Sequence, residues 1–155
     1  MNRENLDKYR KMQEEFSLPQ FDELREKFKI DVEEDDKIFD QIRNDMSEKL
    51  FMFSERIIEP VIGGLDSFSC MFEQNMVTEA ERQELFSVYK KIQMLKWENN
   101  ILLISPDDKK IAEWIKKTWD FWNSDMQEKM LKFSVKMSSG WSNLKFKKDK
   151  SIYLG

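Results

Sequence analysis

Residues 105–141 read SPDDKKIAEWIKKTWDFWNSDMQEKMLKFSVKMSSGW, and this stretch indicates the fold class most clearly. Apolar side chains recur along it at steps of three and four residues, at Ile111, Ile115, Trp119, Trp122, Met126, Met130, Phe133, Met137 and Trp141. That spacing keeps them on one side of an α-helix. We therefore predict one amphipathic helix over 106–138, roughly 50 Å long at 1.5 Å per residue.

The ends of this helix carry start and stop signals. Ser105 is a preferred N-cap residue, and Pro106 suits the first helical position. Gly140 suits the left-handed residue that follows many helices, so we expect the helix to end before it. Because the apolar stripe continues on both sides of Ser124, we predict no break there.

Two further long helices are predicted upstream. One spans 78–104, because Thr78 and Glu81 have the capping-box spacing and apolar residues follow on one side at Leu85, Val88, Ile92 and Leu95. The other spans 36–59, with apolar residues on one side at Ile38, Ile42, Met46, Leu50, Phe53 and Ile57. Pro60, ahead of a glycine pair, is expected to end it.

The remaining segments are shorter. A short amphipathic helix over 66–76 would cover one end of a bundle. Residues 1–34 predict two short helices that form an N-terminal arm, and residues 140–155 form a lysine-rich tail. The predicted fold is all-α: an antiparallel bundle of three long helices within 35–139, with a short capping helix and the N-terminal helical arm.

The composition excludes several kinds of chemistry. The 155 residues include no His and one Cys, so the chain has no imidazole base, no His-ligated metal and no Ser-His or Cys-His nucleophile. Cys70 lies among apolar neighbours and is predicted to be a small buried residue. The first fifteen residues are polar, and no apolar stretch is long enough to cross a bilayer. We expect a cytoplasmic protein without membrane association.

The acidic residues do not match a known metal motif. The run from Asp31 to Asp36 departs from the calcium-loop template, because position 6 is Asp36 instead of Gly and position 12 is Ile42 instead of Glu. Carboxylate pairs three residues apart, which could bind magnesium, occur at Glu23 and Glu26, at Glu33 and Asp36, and at Glu81 and Glu84. Such pairs arise often by chance in a chain with 30 acidic residues, and we expect no metal and no cofactor.

Charge is unevenly distributed. Residues 129–155 hold seven basic groups and one acidic group, although the whole chain has a net charge of −4. The lysines after Gly140 alternate with aromatic residues, a composition that binds phosphate backbones, and they are Lys145, Lys147, Lys148 and Lys150. This end contains no Arg, and the acidic N-terminal third offers the same lysines an internal partner. The sequence leaves both interpretations open.

Aromatic residues crowd the helix predicted over 106–138. Trp119 and Trp122 lie on the apolar stripe and are predicted to be buried. Trp114 widens the stripe and Phe121 lies to one side of it, so these two residues, with Lys117 beside them, are the candidate contacts to a partner. The alternative that the N-terminal arm covers Phe121 is left open.

Taken together, these patterns favour a non-catalytic helical module for protein–protein interaction or an adaptor, with another protein as its partner. The first alternative is an accessory factor of RNA or a ribonucleoprotein, which would contact phosphates through the C-terminal lysines. The second is a magnesium-dependent carboxylate hydrolase. The oligomeric state does not follow from the sequence.

Overall fold

The computed structural model describes residues 3–30, 37–63 and 67–144, and every regular element in these ranges is helical. In chain order the helices are α1 (Arg3–Phe16), α2 (Phe21–Phe28), α3 (Ile38–Phe53), α4 (Glu59–Ile62), α5 (Phe68–Met76), α6 (Glu79–Ile104), α7 (Asp108–Phe121) and α8 (Gln127–Asn143). Two π-helical turns join neighbouring helices without a break, Ser54–Ile58 between α3 and α4, and Trp122–Met126 between α7 and α8. The all-α prediction is confirmed.

The two N-terminal helices pack on the rest of the chain. Tyr9 of α1 is fully buried, and its ring stacks on Phe39 of α3 with 6.0 Å between the centroids. Its hydroxyl donates to the Pro19 carbonyl oxygen at 2.7 Å, in the turn before α2. Phe28 of α2 lies 5.2 Å from the Trp122 ring. The predicted short helices of the arm are therefore present, and their apolar sides are buried.

The helix predicted over 36–59 continues past its expected end. Pro60 was expected to stop it, yet the chain stays helical to Ile62. Proline disrupts a helix interior by removing one amide donor and crowding the preceding turn. Here Pro60 lies in the first turn after the π-helical turn Ser54–Ile58, where a helix tolerates proline. The helix ends at Gly63 instead, whose amide donates to the Glu59 carbonyl at 2.7 Å.

Helix α6 begins and ends as predicted. The Thr78 hydroxyl accepts from the Glu81 amide at 3.3 Å, and the Glu81 carboxylate accepts from the Thr78 amide at 2.8 Å, which completes the capping box. The stretch Ile101–Ile104 forms the last helical turn. Asn99 lies on the buried side of the helix among apolar residues.

Helix α7 starts later than predicted, and α8 ends later. The N-cap is Asp107 and not Ser105, because the Asp107 carboxylate accepts from the Lys109 amide at 2.9 Å and from the Lys110 amide at 3.2 Å. At the other end, Gly140 does not stop the helix, which runs on to Asn143. A side chain at Gly140 would overlap Met76 of α5, so glycine here permits close packing of α5 on α8.

The capping helix predicted over 66–76 corresponds to α5, whose N-cap Ser67 accepts from the Cys70 amide at 3.2 Å. Cys70 is buried, as predicted. One core joins residues of α1, α2, α3, α6, α7 and α8, and its largest fully buried side chains are Tyr9, Leu24, Ile38, Phe39, Ile42, Met46, Leu50, Ile58, Ile92, Ile111, Ile115 and Met126. Of the helices in the described ranges, none is both long and apolar enough to cross a bilayer.

Candidate functional site

Helix α6 carries apolar side chains on two opposite sides. One side enters the core through Leu85, Val88, Ile92, Leu95 and Leu102. Successive residues of an α-helix are rotated by about 100° around its axis, so five large apolar residues lie within an arc of about 80° on the other side. These five residues are exposed, and we call them the α6 face: Phe86, Met94, Trp97, Ile101 and Ile104.

The exposure of the α6 face is large. The side chain of Trp97 is 68% exposed and that of Ile104 is 85% exposed. Between Phe86 and Ile104, Lys90 is the charged residue within the same arc, and it is also exposed. Single exposed apolar residues are ordinary on protein surfaces, whereas a contiguous stripe on one helix is typical of an interaction site.

A groove between α6 and α7 borders the α6 face. Met94 and Leu95 of α6 line it together with Lys117 and Phe121 of α7. A second groove follows toward the end of α6, where Ile101 and Trp114 are among the lining residues. The three predicted partner contacts, Trp114, Lys117 and Phe121, therefore line adjoining grooves beside the α6 face.

Two of those three residues are largely buried. Trp114 is only 3% exposed and Phe121 only 8%, so both rings contact the chain's own helices. The reason is that α6 packs on the side of α7 that carries them. The Trp114 indole nitrogen donates to the Leu95 carbonyl oxygen at 3.0 Å, and the Lys91 ammonium lies 5.4 Å from the centre of the Phe121 ring. The N-terminal arm is thus not needed to cover Phe121.

Ion pairs surround the groove. Lys91 contacts the Asp125 carboxylate at 2.8 Å, and Lys129 contacts its other oxygen. Hydrogen bonds from Lys129 and Lys91 hold the pKa of the Asp125 carboxyl below its ordinary value. Lys117 pairs with Glu98 across the two helices. These pairs neutralise most of the charge beside the groove, which leaves an apolar surface with polar edges.

The remaining aromatic residues of this region divide between the core and its edge. Trp122 is buried as predicted, with its ring 5.6 Å from that of Phe53. Trp119, predicted to be buried, is partly buried at the edge of the core and lies 6.3 Å from Phe28 of α2. The Lys27 ammonium lies 4.9 Å from the Trp119 ring and covers its outer side.

The predicted phosphate contacts Lys145, Lys147, Lys148 and Lys150 lie outside the described residues, as does the acidic run from Asp31 to Asp36. The last described turns of α8 carry Trp141, whose indole nitrogen donates to the Glu73 carboxylate at 2.9 Å. Its ring lies 4.6 Å from that of Phe72. An aromatic contact between α5 and α8 therefore precedes the lysines in the chain.

Glu81 and Glu84 have the sequence spacing of a magnesium-binding pair, but the Glu81 carboxylate forms an ion pair instead. Both oxygens of Glu81 accept from the Lys136 ammonium, at 2.6 and 2.7 Å. Hydrogen bonds from Lys136 and from Thr78 lower the pKa of the Glu81 carboxyl to about 2. Within residues 3–30, 37–63 and 67–144, no three Cys, Asp or Glu side chains are grouped as metal ligands.

The α6 face was not predicted from the sequence. A second series of apolar residues does indicate it: Met94, Trp97, Ile101 and Ile104 are spaced three, four and three residues apart. This series lies opposite the apolar stripe from which the helix was predicted. A helix that is apolar on two sides is expected either to be surrounded by its own chain or to bind another one.

Comparisons of the chain with family models, with curated proteins and with solved structures find no match.

Proposed function

We propose that this protein is a non-catalytic interaction module that binds a protein partner through the α6 face. The observation that carries the proposal is the exposure of five large apolar side chains on one arc of a helix whose opposite arc is in the core. The predicted contacts Trp114, Lys117 and Phe121 also support the proposal, because they line the two grooves that a segment bound to the α6 face would border. The antiparallel arrangement of the three long helices and the cytoplasmic location remain part of this proposal.

The energetics are sufficient for specific binding. Five side chains with roughly 100 Å² of exposed apolar surface each would bury about 500 Å². At about 25 cal/mol per Å², this contributes about 12 kcal/mol before the costs of association. Those costs are about 4 to 15 kcal/mol, so the α6 face is large enough to support binding when a partner fits it well.

The test is affinity purification from the native cells with two matched variants. Ile101→Lys places a charge on the α6 face, and Leu131→Lys makes the same change at an equally exposed apolar residue of α8, since the two side chains are 63% and 65% exposed. We expect the wild type and Leu131→Lys to retain a protein partner in high salt and after nuclease treatment, and Ile101→Lys to lose it. Retention of every partner by Ile101→Lys, with both variants folded by circular dichroism, would contradict the proposal.

A second candidate function is binding to RNA or a ribonucleoprotein through Lys145, Lys147, Lys148 and Lys150. The excess of seven basic groups over one acidic group in residues 129–155 favours it. This binding would weaken steeply with salt and disappear on truncation after Leu144, since it depends on phosphate charge. Loss of the partner on nuclease treatment, together with no effect of Ile101→Lys, would favour this function over the first.

A further inference from the structure

We infer that the partner of the α6 face is a second copy of this chain, with the two α6 helices packed antiparallel about a twofold axis near Met94 and Trp97. This inference rests on the proposed function and specifies its partner. In such a dimer the same surface on each copy contacts itself, as twofold symmetry requires. Met94 of each copy then lies opposite Trp97 of the other, and Phe86 lies opposite Ile104.

The spacing of the apolar residues on the α6 face suits a second helix. Met94, Trp97, Ile101 and Ile104 follow one another at steps of three, four and three residues. This is the a and d spacing by which two helices pack side by side along a common seam. The stripe is straight over about five turns of α6 and therefore suits another long helix better than a loop.

The area of the α6 face is close to what a dimer needs. With roughly 100 Å² of exposed apolar surface on each of the five residues, two copies contribute about 1,000 Å² from the seam alone. The groove residues beside the seam, including Lys91 and Lys117, add to this area. The total approaches the roughly 1,200 Å² at which stable protein interfaces begin.

Charge selects the antiparallel direction. Lys90 lies in the arc of the α6 face and, within the described part of the chain, forms no ion pair. In a parallel dimer Lys90 would meet Lys90 of the second copy in the seam, and the two like charges would repel. In the antiparallel dimer it lies opposite Ile101 and within one turn of Glu98 of the second copy, whose carboxylate also pairs with Lys117 of its own chain.

The first experiment is sedimentation equilibrium of the full chain at concentrations from about 1 to 100 μM, at low and high salt. We expect a mass of twice 18.8 kDa at the higher concentrations for the wild type and for Leu131→Lys. Ile101→Lys is expected to raise the dissociation constant about 100-fold, because the introduced ammonium group lies opposite Lys90 of the second copy and the like charges repel. A wild type that stays monomeric, or an Ile101→Lys variant that dimerises like the wild type, would overturn the inference.

Disulfide trapping tests the direction of packing. A cysteine introduced by Met94→Cys lies beside the twofold axis and should cross-link to the second copy under mild oxidation. Cysteines introduced by Ile104→Cys would be about 27 Å apart along the helices of an antiparallel dimer, so this variant should not cross-link. The wild type, whose Cys70 is buried, is the control. Equal cross-linking through Ile104→Cys would show a parallel dimer and overturn the inference.

Failure of this inference is distinguishable from failure of the proposed function. A monomeric wild type that captures a different protein, lost in Ile101→Lys and kept in Leu131→Lys, would overturn the homodimer and leave the α6 face as the binding surface. A monomeric wild type whose partners are all retained by Ile101→Lys would overturn both.

Discussion

Glu81 stabilises the start of α6 through two sets of contacts, and only one of them requires its charge. The Glu81 carboxylate caps the Thr78 amide and pairs with Lys136 of α8 at 2.6 Å. Glu81→Gln retains a carbonyl oxygen that can complete the capping box but removes the ion pair. This substitution therefore isolates the link between α6 and α8.

The magnitude follows from the pKa. A fall of the Glu81 pKa from 4.5 to about 2 corresponds to about 3.4 kcal/mol at 1.36 kcal/mol per unit. The Glu81 side chain is 26% exposed and Lys136 is 35% exposed, so solvent screening reduces the expected loss of unfolding free energy to about 1 to 2 kcal/mol. Because the folded-state pKa is lowered, this stabilisation is fully present above about pH 4.5 and is lost as the pH falls toward 2.

The assay is urea unfolding of the wild type, Glu81→Gln and Glu84→Gln between pH 7 and pH 3. Glu84 lies on the same helix, is exposed and serves as the control for removing one carboxylate. We expect Glu81→Gln to lose about 1 to 2 kcal/mol more than Glu84→Gln at pH 7, and this difference to fall by about half at pH 3. Equal losses in the two variants, or a difference that does not change with pH, would refute the reasoning.

Two further predictions concern helix α7. Because Asp107 supplies the N-cap, Asp107→Ala should lower the free energy of unfolding by about 1 kcal/mol, whereas Ser105→Ala should leave it unchanged within about 0.5 kcal/mol. Thermal or urea unfolding of the two variants measures these changes. A larger loss in Ser105→Ala than in Asp107→Ala would place the cap at Ser105. Trp114→Phe should cost about 1 kcal/mol or more, since it removes the buried hydrogen bond to the Leu95 carbonyl, while Trp97→Phe should be nearly neutral because Trp97 is exposed. Equal unfolding midpoints for these two variants would contradict the burial of Trp114.

The sequence predicted the helices better than their ends. The apolar spacing and the capping box located α6 correctly, because both are local properties of the chain. Pro60 and Gly140 were misinterpreted as stop signals for reasons that are not local to these residues. A preceding π-helical turn allows Pro60 in the helix, and close packing of Met76 from α5 uses the missing side chain of Gly140.

The predicted contacts lie beside the exposed apolar surface, but that surface itself was not predicted. Trp114, Lys117 and Phe121 do line grooves beside an exposed apolar surface. Their burial depends on which side of α7 the helix α6 packs against, and the periodicity of α7 alone contains no information about that. The exposed residues, Trp97 and Ile101 among them, lie on the neighbouring helix, where a stripe on the opposite side had already been assigned to the core.

The most direct test of the α6 face as a protein-binding surface is photo-cross-linking in the native cells. A photoreactive amino acid such as benzoylphenylalanine replaces Trp97 in one variant and the equally exposed Leu131 in another. The account predicts a discrete cross-linked protein product from position 97, at twice 18.8 kDa for a second copy, and none from position 131. No product from position 97, or the same products from both positions, would contradict it.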